Sequence, residues 1–182
     1  MIILDNKEQE KMKAKLIVNN QEIEVEISEE EYKKLQQQSK KTGYERVKQG
    51  STHYYVDFVG DVSDDYDDHN TWNNKSYDSA NYYSDLTVAE NNARADKLMR
   101  QLRRFAVEHR ETKLDWNSMH NKCQDKHAIY YNYDKSDMYI LSTNYFKSFN
   151  TIYFDSYETV QLAIDTFHDE LIWYFTEYKD SL

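Results

Sequence analysis

The residues best suited to chemistry fall into three groups, the first of them a run of cations. Arg94, Lys97, Arg100, Arg103, Arg104 and Arg110 face only Asp96 and Glu108 between positions 94 and 110. Guanidinium forks fit phosphate oxygens, so the stripe suits contact with an RNA or DNA backbone, with Arg100, Arg103 and Arg104 as candidate RNA contacts. The plainer reading is a solvated face that pairs with the protein's own acids. Those acids form the second group: Asp61, Asp64, Asp65, Asp67 and Asp68. A calcium loop needs Gly at its sixth position and a closing Glu, and this tract has neither. It could imitate phosphates for a basic partner, with Asp64, Asp65, Asp67 and Asp68 as the contacts, or be a flexible loop. The third group, Lys13, Lys15, Glu22, Glu24 and Glu26, forms a charge ladder near the N-terminus. There Glu could act as a general base beside a Lys that neutralises phosphate. Its alternative is a hairpin that merely caps a core.

Histidines 53, 69, 109, 120, 127 and 168 are scattered, with no two at a metal-ligand spacing, so no metal is expected. Metal-free RNA cleavage needs only a base, an acid and a cation, supplied from remote positions, and the sequence assigns none of them. Cys123 lies between His120 and His127 without a Gly-framed elbow and reads as an ordinary thiol. Tyr130, Tyr131, Tyr133 and Tyr139 could stack on unpaired bases, or form core and sheet surface. No P-loop, GxGxxG or CxxC is present, so neither a cofactor nor a small-molecule substrate is expected.

Bulk properties set the frame for these groups. The 182 residues carry a formal charge of −10, which repels nucleic acid at long range except where cations cluster. Hydrophobic residues make up 39%, yet 17 Tyr, 7 Phe and 3 Trp supply large buriable surfaces and argue against disorder. One cysteine excludes an intramolecular disulfide and fits a reducing compartment. Neither a signal segment nor a membrane span is visible, so a soluble cytoplasmic protein is expected.

The elements that must position these groups follow from patterning. Alternation through Met12, Ala14, Leu16 and Val18, then Ile23, Val25 and Ile27, around Asn19-Asn20, predicts a β-hairpin. A two-residue turn pairs Leu16 with Ile23, Lys15 with Glu24 and Lys13 with Glu26, which sets opposite charges across from each other. Ser28 with Glu31 predicts a capping box opening a helix to about Lys40, stopped at Gly43. Residues 1–43 thus form an N-terminal unit and 44–182 an α+β core domain. Within the core, a strand is expected over 53–59, then a Gly60-Asp61 turn, the acidic tract and an Asn/Ser/Tyr-rich stretch to Tyr83. A helix should start between Ser84 and Thr87, with Thr87 and Glu90 as a second capping box. Ala89, Ala93, Leu98, Leu102, Phe105 and Ala106 form its buried stripe. Strands near 127–133, 137–142 and 151–154 lead to a last helix from Asp155 or Ser156, apolar at Val160, Ala163, Ile164, Phe167, Leu171 and Phe175. No internal repeat is evident. The architecture expected is α+β, an antiparallel sheet with helices packed on one face, plus the N-terminal β-hairpin.

Three segments taken together resemble accessory proteins of phages and mobile elements in low-GC Gram-positive bacteria. They are His53-Tyr54-Tyr55-Val56-Asp57 through Gly60-Asp61-Val62, Leu98-Met99-Arg100-Gln101-Leu102-Arg103-Arg104-Phe105-Ala106, and Ile152-Tyr153-Phe154 through Asp169-Glu170-Leu171. Abundant Asn, Lys, Tyr and Ile suit an AT-rich genome. Length and hairpin are similar to those of a type II-A anti-CRISPR protein, of the kind that disables the RNA-guided DNA nuclease by acting on its guide RNA. The likeness spans roughly residues 50–178 and consists of packing patterns, so no catalytic residue carries over. It implies that the partner is a type II CRISPR effector nuclease with its guide RNA, whose basic channel would attract an acidic inhibitor in a bacterial host cytoplasm. It implies in turn an inhibitor that promotes truncation of the bound guide RNA, with a chemistry-free block of guide loading or DNA binding as the alternative. A phage interaction module unrelated to CRISPR is the remaining alternative.

Overall fold

The computed structural model describes residues 11–18, 21–31, 41–116 and 124–181, with backbone alone for those before Glu24. The chain divides into two compact units, Met1–Thr42 and Gly43–Leu182.

In the first unit, β1 (Lys11–Val18) and β2 (Gln21–Ser28) pair antiparallel with Leu16 opposite Ile23, Lys15 opposite Glu24 and Lys13 opposite Glu26. This is the register that the alternation and the crossed charges predict, because a slip by one residue would turn every apolar side chain to the other face. The capping box forms as well. Glu31 accepts from the Ser28 amide and hydroxyl, both at 2.8 Å, and the Ser28 hydroxyl accepts from the Glu31 amide at 3.2 Å. Residues 29–31 are helical; the turn at Asn19-Asn20 and the helix expected up to Lys40 lie outside the described residues.

The second unit contains β3 (Thr52–Val56), β4 (Val62–Tyr66), α1 (Thr71–Asp78), α2 (Leu86–Glu108), β5 (Lys126–Asn132), β6 (Asp137–Thr143), α3 (Tyr157–Thr166) and α4 (His168–Thr176). The α+β class is observed, with the strands in separate two-stranded antiparallel sheets instead of one continuous sheet. Two elements were not expected. The acidic tract is partly a strand, β4, and α1 occupies the Asn/Ser/Tyr-rich stretch. The start of α2 is capped by Asp85, whose side chain accepts from the Val88 amide at 3.1 Å, and not by Thr87. The last helix begins as expected after Ser156, which accepts from the Thr159 amide, but breaks at Phe167 into α3 and α4.

A duplicated plan emerges that the sequence conceals. Each half is a hairpin, an extended residue bridged to the hairpin's first strand, and a helix capped two residues later. Tyr83 bridges Tyr54 through two hydrogen bonds of 2.8 Å, and Phe154 bridges His127 at 3.0 and 2.8 Å. Asp85 and Ser156 are then the equivalent caps. Each hairpin lies against its own helix, α2 or α3, and these helices pack on one another. Their junction is the main core: Leu98, Leu102, Phe105, Phe154, Val160, Ile164 and Leu171 are all buried there. Full burial of each large apolar side chain contributes about 1.5–3 kcal/mol. A smaller cluster of Tyr83, Val88 and Ala89 receives Tyr54, Val56 and Val62 from the first hairpin. Gly43, at φ +92°, brings its backbone so close to Val88 that a Cβ would sit 2.6 Å from a methyl group. Among the described residues no helix is long and apolar enough to cross a membrane.

Candidate nucleic-acid interface

The duplicated plan places one fully buried residue immediately before each bridge. In the first half it is His53, stacked on Tyr82 at 4.2 Å between ring centres and 10° between planes. The Tyr82 hydroxyl donates to Asp67 at 2.8 Å and accepts from the Val47 amide at 3.1 Å. Arg46 closes the network with a two-pronged contact on Asp67, Nε at 2.8 Å and Nη2 at 3.0 Å. The Arg46 hydrogen bonds, with further ones from Tyr82 and the His69 amide, hold the Asp67 carboxyl far below the usual carboxylate range. Burial, then the bond to Asp67, pushes the Tyr82 phenol up to about 12. Asp67 is wholly buried, so it is a structural anion and the expectation that it meets a partner is corrected.

In the second half the equivalent buried residue is Lys126, whose Nζ donates to the Gln124 carbonyl at 2.8 Å and lies 4.9 Å from the centre of the Trp116 ring. Trp116 meets Tyr153 edge-on at 4.9 Å, and Lys147 Nζ is 5.6 Å from the same tryptophan. This half is open. Beside Trp116 runs a groove of about 400 Å³ whose described lining includes Arg103, Arg110 and Lys147 and no acidic residue. Arg110 Nε is buried there with no hydrogen-bond partner among the described residues. Along the wall formed by Asn150, Thr151 and Ile152, the groove adjoins a second, apolar cleft of about 300 Å³. Its lining includes Met99, Tyr130, Tyr131, Tyr133, Tyr174 and Phe175. Tyr131 stacks on Phe175 at 5.3 Å, and the Tyr133 hydroxyl donates to the Phe175 carbonyl at 3.0 Å. Phe146 and Phe149 stand exposed on the loop that carries Lys147.

The cationic stripe therefore divides. Arg94 is absorbed by Glu170, at 2.8 and 3.1 Å, and by the face of Trp173 at 4.0 Å. Arg100 lies against Gly60 in the first hairpin's turn. Arg104 pairs with Glu108 at 3.7 Å and is 73% exposed. Arg103 and Arg110 turn into the groove, where Arg103 Nη2 donates to Asn150 at 3.0 Å. Asp64 and Asp68 are exposed and Asp65 is half-buried. Glu24 and Glu26 are exposed, while the side chains of Lys13, Lys15 and Glu22 lie outside the described residues. So do His120 and Cys123. The described histidines stay dispersed: His109 stacks on Phe105 at 3.9 Å and His127 bonds Ser142 at 2.8 Å. Among the described residues no three His, Cys, Asp or Glu side chains are placed to hold a metal. Lys147, Trp116 and Asn150 were missed from the sequence; the only local signal was the aromatic-rich loop Tyr145–Phe149, unusual for an exposed segment.

No family model, curated protein or solved structure matches the chain.

Proposed function

We propose that this protein binds the RNA of a nucleoprotein complex and inhibits that complex by occupation, without chemistry of its own. The observation that carries this reading is the acid-free groove of Arg103, Arg110 and Lys147 beside exposed aromatics, in a chain whose formal charge is −10. A local cationic strip with stacking surfaces suits single-stranded RNA, while the remaining negative charge suits a basic protein channel around that RNA. The family resemblance gives the complex its identity: a type II CRISPR effector nuclease holding its guide. Binding is the reading that the groove's described lining supports, since Arg103, Arg110 and Lys147 are suited to hold a phosphate.

The test is target-DNA cleavage by several guide-loaded type II nucleases with excess protein, followed by sizing of the guide RNA. Loss of DNA cleavage with a full-length guide is expected. A shortened guide would give the protein the truncating role instead. Uninhibited cleavage by every enzyme would sink the CRISPR assignment.

A further inference from the structure

Resting on the RNA-binding reading, we infer that the paired cavities of the second half take one nucleotide unit, its phosphate in the cationic groove and its base in the tyrosine cleft. A nucleotide has two chemically opposite ends held one sugar apart. The two cavities offer the matching opposites and share a single wall, Asn150–Ile152. On the phosphate side, Arg103 and Arg110 provide forks and Lys147 a point charge, the combination that recognises a phosphoryl group. Arg110 Nε is a buried donor with no acceptor among the described residues, and a phosphate oxygen is the kind of acceptor that would relieve it. On the base side, the stacked pair Tyr131 and Phe175 forms a flat aromatic wall, with Tyr133 and Tyr174 around it. A π-face accepts any base, so sequence preference is weak. At the boundary Asn150 holds a left-handed backbone, φ +55°, and its side-chain oxygen receives Arg103. The same side chain that walls off the cleft thus aims the arginine into the groove. The occupant is an unpaired RNA nucleotide. A free nucleoside monophosphate has the same chemistry and is separated from it by the test.

The test is fluorescence anisotropy of the full-length protein with a labelled single-stranded RNA decamer at several salt concentrations. AMP, inorganic phosphate and an abasic RNA serve as competitors, and the variants are run in parallel in the nuclease-inhibition assay. Arg103→Ala with Lys147→Ala should weaken RNA binding at least tenfold and reduce the salt slope by about 0.7, the share of one single-strand phosphate contact. Tyr131→Ala should weaken it about tenfold, the size of one lost stack. Lys75→Ala, a cation of α1 in the other half, should leave it unchanged. Arg110→Lys keeps the charge without the fork and should still lose affinity; melting temperatures confirm that each variant folds. Groove and cleft variants that bind RNA and inhibit like wild type would overturn the nucleotide site while leaving the RNA-binding reading intact. Wild-type protein that binds neither RNA nor AMP would overturn both. AMP saturation without RNA binding would keep the site and assign it a free nucleotide.

Discussion

The two halves of the Gly43–Leu182 unit share one plan, yet one is sealed and the other open. In the first, the tyrosine before the partner bridge residue (Tyr82) is locked onto Asp67 and Arg46, a pair of opposite charges, while the residue before the bridge (His53) stacks on Tyr82 with its buried ring nitrogens unpartnered among the described residues. In the second, the equivalents Lys126 and Tyr153 meet Trp116, and the described lining of the groove beside it carries cations and no carboxylate. A satisfied polar network stabilises; a surplus of one sign facing a cavity costs stability and suits a ligand of the other sign. On the proposed reading, the first half serves folding and the second binding.

The sharpest way to break that division is Asp67→Ala. It strands the Arg46 guanidinium, the Tyr82 hydroxyl and the His69 amide at once, and should cost about 3 kcal/mol in denaturant unfolding. A loss below about 1 kcal/mol would remove the network from its stabilising role.

Acid titration carries the same contrast. Asp67 ionises around its ordinary 3.8 in the unfolded chain and far lower when folded, so falling pH protonates the unfolded chain first. Its stabilisation is complete above that ordinary value and drains away as pH falls toward the folded one. Asp155, in the second half, adds a component of the same sign. Burial would raise its carboxyl, but the Thr112 and Glu111 amides outweigh that and lower it. Asp67→Asn should therefore flatten the loss of stability below pH 4 without abolishing it, as read by melting temperature. An unchanged acid slope would refute the assignment.

A paired deletion sharpens the comparison further. Tyr82→Phe removes one hydroxyl from Asp67 and from the Val47 amide, and should cost about 1–2 kcal/mol. Tyr153→Phe removes the acceptor of the Ser148 amide, at 2.8 Å, and should cost about 1 kcal/mol. Chemical denaturation of both variants checks the order, and equal or reversed losses would erase the distinction.

How much of this was legible before the fold was known differs in the same way between regions. The N-terminal register could be read because apolar alternation and crossed charges specify one pairing together. Strand β4 could not, since Asp64 and Asp65 are poor strand residues held extended by pairing with β3, with Asp67 anchored just beyond. The duplication was invisible because its conserved parts are roles: a bridge, a buried neighbour and a cap, filled by Tyr83, His53 and Asp85 or by Phe154, Lys126 and Ser156. Of the groove, Arg103 and Arg110 could be suspected from their stripe. Lys147 and Asn150 reach it only through the packing of distant segments, which leaves no periodic trace.

The smallest effects test the stripe itself, whose members the sequence treats alike and the fold does not. Arg94 spends its fork on Glu170 and its flat face on Trp173, which joins the two ends of the core. Both charged partners remain more than 40% exposed, so solvent screens the pair. Arg94→Ala should accordingly cost about 1 kcal/mol, most of it lost stacking and alkyl packing. Arg104 lies one helical turn from Glu108 at 3.7 Å, with both side chains in water. Exposed pairs of this spacing contribute about 0.3–0.5 kcal/mol, and alanine's higher helix propensity offsets part of that. Arg104→Ala should therefore melt within about 0.5 kcal/mol of wild type. If Arg104→Ala instead proved as costly as Arg94→Ala, the exposed face of α2 would hold a contact of its own, and the open surface would extend beyond the groove.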